Sequence, residues 1–149
     1  GWLYRLKNKR QTQWAHKLAS LMLLNPPLNL EQVDAFTFVP STRWHLIKRG
    51  FNPAELIARA LAYSLNKPVL DQLTVRHHSR EQKELSRQQR LNNVKDHFHA
   101  TGKHLNGEHI LLIDDVMTTG STAHTIAKLL KNSGASKVGI WCLARTPKP

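Results

Sequence analysis

The stretch that decides the fold is His109–Thr122, which reads HILLIDDVMTTGST. Four apolar residues, Ile110–Ile113, are followed by two adjacent carboxylates, Asp114 and Asp115. A short turn of small, hydroxylated residues then leads into a segment with apolar residues at helical spacing. Those residues are Ala123, Ile126, Ala127, Leu129 and Leu130. The pattern predicts a buried strand, an acidic pair, a turn and a helix, which is half of a βαβ unit with a ligand site at its tip.

The turn contains the residue types that hold a phosphate. A helix N-terminus presents unpaired backbone N–H groups and a partial positive charge, and both attract an anion. A glycine lets the backbone approach the ligand closely, and hydroxyl groups add further donors. The predicted contacts of a 5′-phosphate are Thr118, Thr119, Gly120, Ser121 and Thr122.

The acidic pair restricts the kind of ligand. Asp114 and Asp115 would repel a bare phosphate beside the turn. They favour a ligand that also carries vicinal hydroxyl groups, or a metal ion that bridges them to an anionic group. A 5′-phosphorylated ribose is such a ligand, because it carries vicinal hydroxyl groups beside its phosphate. The alternative interpretation, a buried strand before an N-capped helix, suits Thr118 or Ser121 taken alone. The complete string favours the ligand site, because turn and acidic pair occur together.

Residues 113–122, IDDVMTTGST, resemble the 5-phosphoribosyl-1-pyrophosphate (PRPP) signature of type I phosphoribosyltransferases. The resemblance implies that 118–122 hold the 5′-phosphate, that Asp114 and Asp115 are catalytic residues contacting the ribose hydroxyls, and that Mg²⁺ accompanies PRPP in an active enzyme. Two other protein classes are disfavoured. A Walker B strand requires a G-x-x-x-x-G-K-[ST] loop, which the chain lacks. A response-regulator receiver requires most of a domain after this strand, and only 116–149 remain.

A second motif lies at 39–61, VPSTRWHLIKRGFNPAELIARAL. It resembles a signature of the competence protein ComF/GntX family, which is phosphoribosyltransferase-like. Residues 49–52 match without adjustment, whereas the first arginine position falls on Arg43, Trp44 or His45. Fixed positive charge near a strand end suits a pyrophosphate group. The predicted pyrophosphate contacts are Ser41, Thr42, Arg43 and Arg49.

The long polar region 71–103 carries a third match to ComF/GntX, from Arg76 to Phe98. Its apolar positions are few, and 81–94 is compatible with a helix. We expect a mobile hood that brings cations over an anionic ligand. The histidines of this region lack cysteine or acidic partners at ligand spacing, so no protein metal site is predicted.

The remaining segments complete an α/β pattern. Trp14, Leu18, Leu21 and Met22 recur at helical spacing, which predicts an amphipathic helix over 11–24 with Trp14 in the core and the lysines solvated. The alternative interpretation is that the early Trp, Arg and Lys residues bind nucleic acid by stacking and charge. Three further elements are predicted: a strand at 35–39, a helix at 53–65 capped by Asn52, and a buried strand at 138–143 that places Cys142 in the core. Residues 68–70 are a candidate short strand.

Length and charge define the class. The 149 residues predict one phosphoribosyltransferase-like domain, 1–149, with a central parallel sheet flanked by helices. Lys and Arg number 22 against 10 acids, a net charge of +12, which favours a polyanionic partner or anionic substrates. No apolar run reaches the roughly 18 residues of a membrane helix, so no membrane partner is expected. The single cysteine is consistent with the cytoplasm.

Two functions follow from the resemblance. The first is a cytoplasmic role in natural transformation, with binding to single-stranded DNA, to PRPP, and to a helicase or recombination mediator. The predicted DNA contacts are Arg43, Lys48, Arg49, Arg87 and Arg90. The second is an active Mg²⁺-dependent phosphoribosyltransferase of nucleotide metabolism with an unknown acceptor. The four-cysteine zinc module of full-length family members is absent from this sequence, which suggests a truncated chain or one that lost the module.

Overall fold

The computed structural model describes residues 2–27, 29–41, 47–71, 73–75, 98–100, 104–117 and 119–146. The elements in chain order are α1 (Trp2–Leu23), a 3-10 turn (Leu30–Gln32), β1 (Ala35–Phe38), α2 (Pro53–Leu65), β2 (Leu73–Val75), β3 (Phe98–Ala100), β4 (His109–Met117), α3 (Ser121–Asn132) and β5 (Lys137–Arg145). Strands β1, β4 and β5 form a parallel sheet in the order β1–β4–β5, and β2 pairs with β3 in a separate two-stranded antiparallel sheet. The predicted α/β class with a central parallel sheet is confirmed.

Strand β4 lies at the centre of the parallel sheet because its side chains are apolar on both faces. Ile110, Leu111, Leu112 and Ile113 are all fully buried. Their neighbours in register are Ala35–Phe38 on one side and residues 138–141 on the other. Because the three strands run in the same direction, their carboxyl ends meet at one edge of the sheet. That edge carries the acidic pair.

The core has one layer on each face of the sheet. Successive side chains of a strand point to opposite faces. Leu111 and Ile113 pack with α1 and α2 in one hydrophobic cluster, and Ile110 and Leu112 pack with α3 in the other. The helices therefore cover both faces and leave the carboxyl edge of the strands available for a site.

Helix α1 differs from its prediction in its length and in its buried face. It begins at Trp2, so the basic N-terminal segment is helical. The predicted core position of Trp14 is wrong, because Trp14 is 42% exposed. The buried residues are Ala15, Ala19 and Met22, with Leu18 half-buried. Small alanines allow α1 to approach α2 closely, which rotates the larger side chains to the flank of the contact. The lysines described on α1 are exposed, as predicted.

The other predicted elements agree more closely. Helix α2 spans the predicted Pro53–Leu65, and the side chain of Asn52 caps it. Val69 makes an isolated parallel bridge to Phe36. The prediction that Cys142 is a core residue is wrong, because Cys142 is only half-buried. The helix predicted at 81–94 lies outside the described residues, and no helix among those described is long and apolar enough to cross a membrane.

Candidate functional site at the carboxyl edge of the sheet

The site begins where β4 ends and α3 begins. β4 continues through the acidic pair to Met117, and α3 starts at Ser121. Gly120 is the N-cap residue, with a left-handed φ of 80° and no side-chain hydrogen bond to the helix. This φ favours glycine, since a side chain at this conformation is strained. The first turn of α3 therefore faces the edge of the sheet with its positive dipole end, and the N-cap residue itself places no side chain over it.

The residues of the turn surround a small polar hollow, and we call Thr119, Gly120, Ser121 and Thr122 the cradle. The Oγ1 of Thr119 and the Oγ of Ser121 lie 2.9 Å apart, and the N–H of Ser121 donates to Thr119 Oγ1 at 3.4 Å. The hollow has a volume of about 60 Å³ and is also lined by Asp114. A space of this size admits a compact polar group but not a nucleobase. Thr118 lies outside the described residues.

The two carboxylates differ in their surroundings. Asp114 is 9% exposed, whereas Asp115 is half-buried. Burial, the charge of Asp115 and a side-chain hydrogen bond with Asp115 together raise the pKa of Asp114 to about 6, and burial contributes most. At neutral pH the pair carries negative charge that burial and the closeness of the two carboxylates make unfavourable. A ligand that donates hydrogen bonds to Asp114, or brings a cation, relieves this cost.

The end of β1 lies beside the acidic pair. The N–H of Val39 donates to the carbonyl of Ile113 at 2.9 Å, so the loop that follows β1 leaves the sheet next to Asp114. Ser41, in that loop, is half-buried. Two of the predicted pyrophosphate contacts, Thr42 and Arg43, lie outside the described residues.

The other predicted cations are not in the hollow. Lys48 and Arg49 are exposed in a helical segment, 47–49, that ends shortly before α2, and neither lines the cradle. Arg87 and Arg90 lie outside the described residues. The structure thus brings Asp114 together with the cradle, whereas Lys48 and Arg49 do not line this hollow.

Asn52 has a second role that sequence reasoning did not find. Its side-chain oxygen accepts from the N–H of Ala54 at 3.1 Å, which is the predicted cap. Its amide also donates to the carbonyl of Val39 at 3.0 Å. Asn52 is 6% exposed, so both bonds are shielded from water. This residue fixes the start of α2 to the end of β1, and with it the loop beside the acids. The only signal in the sequence was its place in the 49–52 motif.

Comparison with known protein families agrees with this geometry. Residues 47–149 match the model of the phosphoribosyl transferase domain. The chain belongs to the phosphoribosyl transferase domain family. The motif that led to this prediction, residues 113–122, lies within the matched region.

Relatives place this phosphoribosyl transferase domain in the ComF group, as predicted. The chain is 34% identical over 150 residues to the DNA utilization protein YhgH of Salmonella typhimurium, a match covering 97% of this chain and 66% of that protein. It is 35% identical over 119 residues to competence protein F of Haemophilus influenzae, which covers 78% of this chain and 52% of that protein. The chain therefore spans about two thirds or less of the length of these relatives.

Solved structures share the fold of the domain. The glutamine PRPP amidotransferase of B. subtilis, complexed with ADP and GMP, superposes with a TM-score of 0.61 at 18% identity, covering 87% of this chain and 26% of that chain. The purine phosphoribosyltransferase of Pyrococcus horikoshii gives a TM-score of 0.51 at 23% identity, covering 92% of this chain and 74% of that chain. Identities this low support a common fold for the domain.

Proposed function

We propose that this domain acts in natural transformation as a cytoplasmic ComF-like protein that binds PRPP at the cradle and single-stranded DNA on its basic surface. Relatives named competence proteins support the ComF-like role. The observation that carries the ligand proposal is the position of Asp114 and Asp115 directly beside the N-terminus of α3. A phosphate site alone has no use for two carboxylates, whereas a phosphorylated ribose does.

The proposed binding mode divides the ligand between two groups of residues. The cradle donates backbone and hydroxyl hydrogen bonds to the 5′-phosphate. Asp114 and Asp115 accept hydrogen bonds from the ribose hydroxyls, which offsets the cost of their buried charge. The pyrophosphate lies toward the loop after β1, where Ser41 is the described candidate and Thr42 and Arg43 are the candidates outside the described residues.

The residues present fit a magnesium ion that arrives with the ligand. Magnesium prefers oxygen ligands and is usually held by one or two carboxylates together with substrate phosphates. The acidic pair provides such oxygens, and the described residues contain no group of three or more His, Cys, Asp or Glu that could hold a metal alone. Asp114 and Asp115 would therefore hold Mg²⁺ jointly with PRPP. The ion would neutralise charge on the pyrophosphate.

The net charge of +12 supports the DNA half of the proposal. Nucleic acid releases counterions when cations of a protein neutralise its phosphates, so a basic protein binds it with strong salt dependence. Lys48 and Arg49 are exposed and available for such contacts. A helicase or recombination mediator remains a further proposed partner, since incoming single strands are handled by such proteins.

The PRPP site is tested by a thermal-shift titration with PRPP and Mg²⁺. A ligand that binds only the native state at about 100 times its Kd stabilises it by about 2.7 kcal/mol, which corresponds to roughly 5–10 °C for a domain of this size. The double variant Asp114→Asn/Asp115→Asn is expected to lose this shift. Glu31→Gln, which removes an exposed carboxylate far along the chain from the cradle, is expected to keep it. Absence of a shift in the wild type would refute PRPP binding.

The second candidate function is catalysis of phosphoribosyl transfer to an unknown acceptor. The observation that favours it is that Asp114 and the cradle line one hollow at the carboxyl end of β4. In this reaction the cradle and Asp114 would hold the ribosyl centre in place while positive charge develops on it, and pyrophosphate would leave. Release of pyrophosphate from PRPP in the presence of a panel of nucleobases measures this activity. No release under conditions where PRPP shifts the melting temperature would restrict the protein to binding.

A further inference from the structure

An exposed aromatic residue of α1 lies against a second aromatic residue from the turn before α2. Trp14 is 42% exposed, and its ring centroid lies 6.4 Å from that of Phe51 at an interplanar angle of 73°. Ile47, four residues before Phe51, is 71% exposed. A tryptophan this open on a folded domain leaves part of its ring face free for a ligand.

Four exposed cations lie close to this aromatic pair along the chain. Arg10 precedes Trp14 by four residues and Lys17 follows it by three, so helical spacing places both on the Trp14 side of α1. Both are exposed, as are Lys48 and Arg49 next to Phe51. We call this surface the aromatic–basic face. Its members are Arg10, Trp14, Lys17, Ile47, Lys48, Arg49 and Phe51.

Acidic residues are missing from the segments that form this face. Residues 1–30 contain no Asp or Glu, and none occurs between Asp34 and Glu55. Glu55 itself is engaged elsewhere, because it accepts a hydrogen bond from Arg59 at 2.9 Å. The positive charge of the face is therefore not balanced by carboxylates from its own segments.

We propose that the aromatic–basic face binds single-stranded DNA, with a base stacked on Trp14 and the adjacent phosphates on the four cations. Exposed aromatic rings combined with a cationic surface are how proteins bind single strands without reading sequence. Duplex DNA keeps its bases paired and cannot stack one on a side chain. This inference rests on the DNA half of the proposed function and gives it a location.

The face is separate from the cradle. Lys48, Arg49 and Phe51 precede Asn52, whose amide bonds to the carbonyl of Val39 at the end of β1. None of the residues of the face lines the hollow beside Asp114. Apart from Arg49, which is also a predicted pyrophosphate contact, DNA on the face and PRPP in the cradle are therefore bound by different side chains. Variants of Arg10, Trp14 and Lys17 are expected to leave the cradle intact.

The test measures binding of a fluorescein-labelled oligothymidylate of roughly 20 nucleotides by fluorescence anisotropy. Trp14→Ala is expected to weaken binding about 5- to 20-fold, which is the lower part of the range for loss of one stacked base. Trp14→Phe is expected to recover most of the affinity, because it restores an aromatic surface. The matched control is Tyr63→Ala, since Tyr63 is an aromatic residue of α2 that is 83% exposed and pairs with His16 instead.

The charge contribution is tested with Arg10→Gln/Lys17→Gln, at salt concentrations from about 50 mM to about 200 mM. Each lost phosphate contact is expected to reduce the slope of log K against log[salt] by about 0.7. The matched control is Lys137→Gln, an exposed cation at the start of β5. The PRPP-induced thermal shift, measured on every variant, shows that the fold and the cradle are unchanged.

The outcomes separate this inference from the proposed function. Weaker binding by Trp14→Ala but not by Tyr63→Ala, with the PRPP shift retained, supports DNA binding at the aromatic–basic face. Equal binding by wild type and Trp14→Ala overturns the face and leaves DNA binding elsewhere on the protein. No binding by the wild type overturns both the face and the DNA half of the proposed function. Equal affinity for duplex and single-stranded oligonucleotides overturns the stacking argument.

Discussion

Replacing Asp114 with asparagine is expected to stabilise the folded protein at neutral pH. Burial, together with the charge of neighbouring Asp115 and a hydrogen bond with it, raises the pKa of this carboxyl from 3.8 to about 6. Each pKa unit corresponds to about 1.4 kcal/mol, so ionised Asp114 costs the native state at most about 3 kcal/mol. Asparagine keeps the shape of the side chain and carries no charge. Part of this cost comes from the neighbouring charge of Asp115. We therefore expect Asp114→Asn to raise the free energy of unfolding by between about 1 and about 3 kcal/mol.

The effect has a defined pH window. Between about pH 4 and about pH 6 the native state binds a proton at Asp114 that the unfolded chain has already lost. The stabilisation of the native state by this bound proton is therefore fully present near pH 4, declines as pH rises, and is gone above about pH 6. The difference in the free energy of unfolding between Asp114→Asn and wild type is expected to be near zero at about pH 4 and to reach its full value by about pH 7.5.

Urea denaturation of both proteins at several pH values in this window measures the difference. Taking the difference removes the acid destabilisation that the net charge of +12 imposes on every variant. Glu31→Gln, the loss of an exposed carboxylate, controls for the change in net charge. A stability difference that is independent of pH, or a less stable Asp114→Asn at about pH 7.5, would refute the reasoning. A gain in stability accompanied by loss of the PRPP shift would show that the charge is retained for binding.

Two further pairs of substitutions test the packing of the fold. Gly134→Ala is expected to destabilise far more than Gly107→Ala: both glycines have positive φ, but a Cβ at Gly134 would lie 2.1 Å from the carbonyl oxygen of Leu105, whereas one at Gly107 meets nothing within 4 Å. Thermal melts are expected to show a cost of about 1 kcal/mol for Gly107→Ala, and several-fold more or failure to fold for Gly134→Ala. Asn52→Ala is expected to cost about 2–4 kcal/mol because it removes the cap of α2 and the bond to Val39, and Asn52→Ser, which keeps a capping oxygen and loses only the bond to Val39, is expected to cost less in the same urea titration.

The parts of the fold that the sequence predicted are those with local signals. β4, the cradle and α3 form one continuous string, in which an apolar run, a glycine and a helical period each indicate their own element. The start of α2 was equally local, since Asn52 followed by Pro53 is a typical helix start. Predictions of this kind depend on neighbours within a few residues, which the sequence displays directly.

The parts that it could not predict depend on contacts between distant segments. The period of α1 fitted two faces, one with Trp14 and Leu21 and one with Ala15 and Ala19. Hydrophobicity favours the larger residues, but close packing against α2 selects the alanines. The bond between the amide of Asn52 and Val39 likewise joins segments whose distance in space the sequence does not give. The roles predicted for the acidic pair and the cradle stay predictions until a ligand is measured.

The acidic pair also separates the two proposed ligands. A DNA phosphate that entered the cradle would meet the carboxylates of Asp114 and Asp115 with neither vicinal ribose hydroxyls nor a pyrophosphate-bound cation to offset their charge. The field of a +12 protein draws both DNA and PRPP toward it, because that field acts on any anion. Discrimination between DNA and PRPP must then depend on the residues at each site. The carboxylates of Asp114 and Asp115 repel DNA at the cradle, and the exposed ring of Trp14 stacks with its bases on the aromatic–basic face. On this reasoning Asp114→Asn/Asp115→Asn weakens PRPP binding but does not weaken binding of single-stranded DNA.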